Sequence, residues 1–307
     1  MADIYIHSAD GNDTTGDGSS STPYQTIAKA FTEASAGDTI YPIANSTVYA
    51  METDEILPSN ITITAIAEDL TTTPYIQNPL IDHVVFDCDS TNKTWNLTDY
   101  LTVSNVIFKD FYTTNYYSLI DCNDATASVN ATVTLDKVEF RDCSFAGSTA
   151  TRGGLIGNGT TQGGSSYTDL TITLNQCIMN NVKLSVDAYY YGFIRCDGTV
   201  NVNTVNCTWY ADATGTGVQT FANQGTFTGN LNSISHKNLI VKNLNTKTLD
   251  LGAGETESTA GLVYQGNITQ TDNTTGVTNA DPEFTDPANN IFHLKPTSPA
   301  IDGGLPL

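Results

Sequence analysis

Positive charge is scarce in this chain of 307 residues: three arginines and nine lysines stand against 33 acidic residues, for a formal net charge of −21 at pH 7. Such a surface repels nucleic acid and anionic membranes, so neither is expected as a partner. Acidity of this kind also serves simply to keep a protein soluble. No apolar run approaches the length of a membrane span. CxxC pairs are missing, and no Cys/His cluster has zinc-ligand spacing, which argues against a structural metal. The opening Met1-Ala2-Asp3-Ile4-Tyr5 carries neither a basic n-region nor an apolar h-region. A signal already removed and a virion protein that needed none both remain open. None of His7, His83, His236 and His293 lies near a Ser or Cys as in a triad, and all four are expected on the surface or in turns.

What is abundant is Asn, Thr and short apolar phrases, with 39% hydrophobic residues overall. Asn and Thr suit turns and β ladders, and they create N-x-S/T triplets at Asn60, Asn96, Asn130 and Asn267 by composition alone. The phrase Val106-Ile107-Phe108-Lys109-Asp110 returns as Val138-Glu139-Phe140-Arg141-Asp142. Looser copies begin at Cys177, Val205 and Leu239, a period of about 28–39 residues. Between copies runs a second phrase: Ser118-Leu119-Ile120, Gly154-Leu155-Ile156, Gly192-Phe193-Ile194, Thr220-Phe221-Ala222 and Gly261-Leu262-Val263. A third strand precedes the first phrase, as in Val133-Thr134-Leu135 and Leu170 to Leu174.

Three short strands per period predict an all-β fold, a single-stranded right-handed parallel β-helix of three sheets. Its inward rows should bury Phe108, Phe140 and Met179 in one sheet and Leu119, Ile120, Leu155, Ile156, Phe193 and Ile194 in another. Asp110, Asp142, Asn181 and Asn243 should occupy turns. Cys88, Cys122, Cys143, Cys177, Cys196 and Cys207 read as small buried thiols of a core ladder, although an even count permits disulfides.

The whole chain then forms one domain. Residues 1–40 supply a strand, a polar loop and a capping helix, residues 41–280 the coils, and residues 281–307 a non-repetitive C-terminal cap. The helix is expected over Thr22–Ala36, with Thr22 as N-cap, Pro23 as first helical residue and Gly37 as the stop. Both ends of a solenoid need covering, because unpaired strand edges invite aggregation.

Several segments resemble a known group. Asp10-Gly11-Asn12-Asp13, Gly16-Asp17-Gly18, Thr22-Pro23-Tyr24-Gln25-Thr26-Ile27-Ala28-Lys29-Ala30 and Ala36-Gly37-Asp38-Thr39-Ile40 look like the N-terminal signature of pectate-lyase-like β-helix surface proteins. The stretch from Asp281 to Gly304 is similar to their closing segment. Such tails are common in adhesin-like proteins of bacteria and methanogenic archaea and in some phage proteins. The two ends carry the resemblance, the middle shares only the repeat style, and the motifs speak for a fold and not for a reaction.

For chemistry, a polysaccharide lyase on this fold needs a base and cations around a uronate. The few Arg and Lys are spread widely and form no recognisable lyase cluster. A glycosidase needs two facing carboxylates; Asp82, Asp87 and Asp89, or Asp121 and Asp124, are close in sequence as an acidic chain would have by chance. No cofactor is expected. The loop Asp10–Gly18 has oxygens at alternating positions as a calcium loop does, without the Glu of an EF-hand.

Aligning the second phrase places Tyr116-Tyr117, Arg152-Gly153 and Tyr190-Tyr191 at matching points, with Asp121, Gly157, Arg195 and Asn223 aligned just beyond. Tyr116, Tyr117, Arg152, Tyr190, Tyr191 and Arg195 are therefore the candidate ligand-binding residues: tyrosine stacks on sugar rings, and arginine pairs a carboxylate. A tyrosine ladder packed under a turn is the plainer alternative. The leading expectation is a non-catalytic extracellular, cell-surface or virion-surface protein for adhesion or recognition of a glycan or partner protein. A polysaccharide lyase or glycoside hydrolase acting on an acidic polysaccharide is the alternative. A structural spacer or viral decoration protein is another, and a homo-oligomer, such as a trimer, stays open.

Overall fold

The computed structural model describes residues 1–45, 47–51, 53–67, 84–113, 118–122, 130–145, 154–157, 170–184, 194–195, 200–210, 222–223, 231–245, 256–260, 263–267, 274–275 and 278–301. They are mostly β, in parallel sheets with few helices. Strands group into sheets of ten, nine and six members, with a smaller parallel sheet of three and one antiparallel pair among the described residues. The chain visits the large sheets in a fixed order. Tyr100–Ser104 lies in the ten-stranded sheet, Val106–Lys109 in the nine-stranded sheet and Ile120–Asp121 in the six-stranded sheet. Ala131–Asp136, Glu139–Arg141 and Ile156–Gly157 repeat the circuit. Each strand pairs in parallel with its equivalent in the next pass, so neighbouring passes satisfy one another's backbone groups.

Side-chain alternation explains why the passes stack. Ala131–Asp136 and Leu170–Asn175 each bury every second residue, as a strand with one face on a core must. Phe86, Phe108 and Phe140, register partners in successive passes, are fully buried. Their rings stack at 5.7 and 5.5 Å. Met179 continues the row, while Leu119, Ile120, Leu155, Ile156 and Ile194 line the six-stranded side. Phe193 lies outside the described residues.

Corners are made by single residues in the left-handed region. Asp110, Asp142 and Asn181 have φ of 55°, 52° and 56°, as expected of turn residues. Asn243 instead belongs to the strand Ile240–Asn245, at a register shift. A second row of such corners, Asn105, Lys137, Gln176, Asn206 and Asn238, joins the ten- to the nine-stranded sheet. There the Asn238 amide donates to Asn206 Oδ1 at 3.0 Å. Lys and Gln in this row hide the pattern from composition.

Two phrase alignments need correction. Thr208 pairs with Ile178 and Trp209 with Met179, so the copy placed at Val205 begins at Cys207. Val205 belongs to the preceding strand, opposite Asn175. A slip of two residues preserves inward and outward faces, so apolar alternation cannot detect it. Val263 pairs with Ile240 in the nine-stranded sheet, not in the sheet of Ile120 and Ile156.

The helix is also shorter than expected. Helix α1 spans Ile27–Glu33, and Thr26, not Thr22, is its N-cap, accepting from the Lys29 N–H at 3.1 Å. Residues before it are held as an edge: Tyr24 forms a parallel bridge with Ile6, exchanging backbone bonds with Tyr5 and His7. That pairing keeps Pro23 and Tyr24 from turning helical. The helix ends at Ala34, and Gly37, at φ +86°, lies beyond it. Its Phe31 meets the Trp95 ring edge-on at 5.3 Å, with both side chains buried.

From Asp281 the chain leaves the circuit. Phe284–Asp286 and Ile291–Leu294 form the antiparallel pair around a 3₁₀ turn, Pro287–Asn289. Its described side-chain contacts to the sheets run through Asn180, Tyr210 and Lys242 of the nine-stranded sheet. No described helix is long and apolar enough to cross a membrane.

Candidate functional site

Tyr116, Tyr117, Arg152, Tyr190 and Tyr191 lie outside the described residues. Of Arg195 the backbone is described, in the strand Ile194–Arg195. The sheet register around these positions is nevertheless defined. Ile120 pairs with Ile156 and Ile156 with Ile194. Asp121, Gly157, Arg195 and Asn223 form the adjoining row, as aligned from sequence. Tyr116, Arg152 and Tyr190 each stand four positions before one of these paired isoleucines. Their offset in sequence from the common register is therefore the same in three consecutive passes.

The nine-stranded sheet shows its outward chemistry directly. Register places Asp87, Lys109, Arg141, Asn180, Tyr210 and Lys242 in one row. Because Phe140 points inward, Glu139 and Arg141 on either side of it point outward, yet their side chains are only 2% and 11% exposed. Arg141 Nε donates to Glu139 Oε1 at 2.7 Å and Nη2 to Oε2 at 2.8 Å, a two-pronged pair. The Asn180 amide donates both to Glu139 Oε1, at 2.8 Å, and to Asn290 Oδ1, at 2.7 Å. Asn290, in the left-handed region at φ 61°, ends the 3₁₀ turn.

One step further along the row, Tyr210 faces Phe292 at 5.2 Å and Phe284 at 6.2 Å, and Lys242 Nζ meets Asp281 Oδ1 at 2.7 Å. Lys109 bonds Asp87 at 3.2 Å. Three of the twelve cations thus share one row, each matched to a carboxylate of the chain itself. This network escaped sequence reasoning, which read the phrase Val-Glu-Phe-Arg-Asp for its apolar residues. Opposite charges on the two outward positions of one strand were the available signal.

The glycine-rich loop turns its oxygens onto the chain. Asn12 Oδ1 accepts from the Thr14 and Thr15 N–H groups. Asp13 accepts from the Gln25 and Thr26 N–H groups and the Thr26 hydroxyl. Asp17 is held by the Ser19 N–H and the Thr22 hydroxyl, and these bonds lower its pKa to about 2, the Thr22 hydroxyl contributing most. A Cβ on Gly11 would lie 2.1 Å from the Tyr24 carbonyl oxygen, which accounts for glycine there.

Histidines depart from expectation. His7 is buried, its Nδ1 accepting from the Asp10 N–H at 3.0 Å. His236 is also buried, with Nδ1 2.7 Å from the Thr204 hydroxyl and its ring edge-on to Trp209. Burial pushes its pKa down to about 3. A single position along a strand separates an outward from an inward histidine, and charge alone does not reveal which is chosen. His293 is exposed, and His83 lies outside the described residues.

Beside helix α1 a cavity of about 120 Å³ is lined by Ile27, Met51, Thr53, Glu55 and Trp95 among others. The buried Trp95 indole N–H has no hydrogen-bond partner among the described residues. Such a space accommodates a few waters. No group of three His, Cys, Asp or Glu side chains that could hold a metal occurs among the described residues.

No family model matches the chain, and no curated protein matches it in sequence. Among solved structures it is similar to a mutant form of an alginate lyase of the PL6 family, at 11% identity and a TM-score of 0.32. The likeness covers 99% of this chain and 58% of that one, so the chain spans less than two thirds of the enzyme's length.

Proposed function

We propose that the chain is a single right-handed parallel β-helix that works without catalysis at a cell or virion surface, recognising an acidic glycan through one flank. The observation that carries the reading is the shared register of Ile120, Ile156 and Ile194. Those isoleucines belong to adjacent strands, about 4.8 Å apart, and Tyr116, Arg152 and Tyr190 each stand four residues before one of them in the sequence. Tyrosines on either side of an arginine suit a sugar ring and a carboxylate, and the surrounding negative charge disfavours anions elsewhere.

Three carboxylates at the neighbouring face are already held by the chain itself. Glu139 is held by Arg141 and Asn180, Asp87 by Lys109 and Asp281 by Lys242. Acids engaged in this way serve the fold.

A panel of uronate- and sialate-containing oligosaccharides, read by calorimetry, tests the reading. Arg152→Ala is expected to weaken binding by about 1.5–3 kcal/mol at unchanged stability, and Tyr190→Ala to weaken neutral sugars as well. Binding indifferent to both changes, or new reducing ends or unsaturated products from the same oligosaccharides, would overturn it.

A further inference from the structure

Register in the nine-stranded sheet makes two cysteines neighbours. Ile178 pairs with Thr208 and Met179 with Trp209, so Cys177 and Cys207, one residue earlier, stand side by side in adjacent passes. Each follows a left-handed corner residue, Gln176 or Asn206. They continue the inward row of Val106 and Val138, with Leu239 beyond, and are 0% and 1% exposed. Both are free thiols and make equivalent contacts, Cys177 with the Asn175 carbonyl and Cys207 with the Val205 carbonyl, each at 3.4 Å. Cys177 donates towards the Leu135 carbonyl at 3.4 Å, and Cys207 towards the Leu174 carbonyl at 3.5 Å.

Adjacent strands lie about 4.8 Å apart, within the Cα separations that disulfides span. Cys196 lies outside the described residues, and other described cysteines have different company. Cys88 faces the Met51 sulfur at 3.5 Å, and Cys143 faces the backbone carbonyls of Arg141 and Phe108 at 3.5 and 3.9 Å.

We infer that Cys177 and Cys207 are a disulfide-forming pair, closing a bond between consecutive passes when the chain folds with a low-molecular-weight disulfide present, while Cys88, Cys122 and Cys143 remain thiols. One cysteine thiolate attacks the small disulfide RSSR, forming a mixed disulfide and releasing one RS⁻. The second thiolate then attacks the protein sulfur of that intermediate and expels the other RS⁻. In total two protein thiols and RSSR become one protein disulfide and two RSH, and the protein loses two hydrogens.

Timing follows from burial. Desolvation raises the Cys177 pKa well above its ordinary value, so thiolate is scarce once the coil has closed. The exchange therefore belongs to the folding chain. The contact with Cys177 lowers the Cys207 pKa against the effect of its own burial, consistent with the two sulfurs facing each other.

The test refolds the full chain from denaturant with oxidised glutathione or with dithiothreitol, alkylates it under denaturing conditions and maps the peptides by mass spectrometry. In the glutathione sample two of the six cysteines should resist alkylation. Their peptides should be joined as Cys177–Cys207, and the melting temperature should rise and return on reduction. Complete alkylation of all cysteines overturns the assignment. So does a bond joining any other pair, or a glutathione adduct left unresolved on either residue. Cys207→Ser should abolish the joined peptide. Should that variant fail to fold, the wild-type map decides alone.

Discussion

At the N-terminus the strand Asp3–Ile6 is hydrogen-bonded into the ten-stranded sheet, Tyr24 pairs beside it, and Phe31 packs edge-on to Trp95 in the interior. The segment from Asp281 to Ile301 is held differently. Among the described residues it meets the outward side of the nine-stranded sheet through an ion pair, an amide–amide bond and a cluster of rings. Phe31, 4% exposed, belongs to the continuous core, whereas Phe284, 3% exposed, is buried outside it and Ile291, Phe292 and Leu294 are partly exposed. The first region is continuous with the core and should unfold with it. The second rests on a few contacts of a kind that opens locally.

The largest expected effect tests that continuity. Phe31→Ala removes a buried ring from the interior and should cost about 3–5 kcal/mol in denaturant unfolding, with all probes lost in one transition. A separate early transition confined to residues 1–40 would break the comparison, because it would make the N-terminal closure as independent as the C-terminal segment.

Mild acid should act on the body before it acts on the C-terminal segment. His236 is buried and neutral, with its folded pKa near 3 against an ordinary value of 6.5. Between those values the unfolded chain binds a proton that the folded chain does not, so stability is complete above pH 6.5 and falls as pH drops. At pH 5 this amounts to about 2 kcal/mol. Burial raises the Asp281 pKa, but hydrogen bonds from Lys242 and the Glu283 N–H more than offset it, so the pKa is lowered overall. Its contribution is present above the unfolded carboxylate value and is lost only as pH falls through the lower folded value. Denaturant titrations at pH 7 and pH 5 should show the loss, and His236→Phe should reduce it. An unchanged wild-type midpoint would count against a buried, neutral histidine.

The smallest effect should fall on the C-terminal segment. Tyr210→Ala removes the ring between Phe284 and Phe292 and should cost about 1 kcal/mol globally. Its main consequence should be faster amide exchange over Ile291–Leu294 and earlier proteolytic release of that segment. A global loss as large as that of Phe31→Ala would show the two regions to be energetically equivalent.

Much of the interior was legible in the sequence. The rows Phe108–Phe140–Met179 and Ile120–Ile156–Ile194 came from repeated phrases, because an inward position tolerates only apolar residues and strand stacking repeats it each pass. The same logic located Asp110, Asp142 and Asn181 at corners. It failed where the signal was degenerate. The copy at Cys207 was read two residues early because alternation is blind to a slip of two. A good capping motif at Thr22 and Pro23 predicts a helix start there, but an edge-strand pairing competes for the same residues and wins. Of the candidate site, the aligned offsets were readable, while the salt-bridged row beneath the C-terminal segment was not.

The sequence by itself determined the period, the inward rows and the acidic, cation-poor surface, since these follow from residue type and spacing alone. Only tertiary structure decided that Glu139 and Arg141, both outward on their strand, would be buried as a pair. It also decided that Asn290, far away in the chain, would complete their network through Asn180. The physical reason is that alternation records which face of a strand a residue occupies. Whether that face meets water or another segment depends on where a distant part of the chain comes to rest.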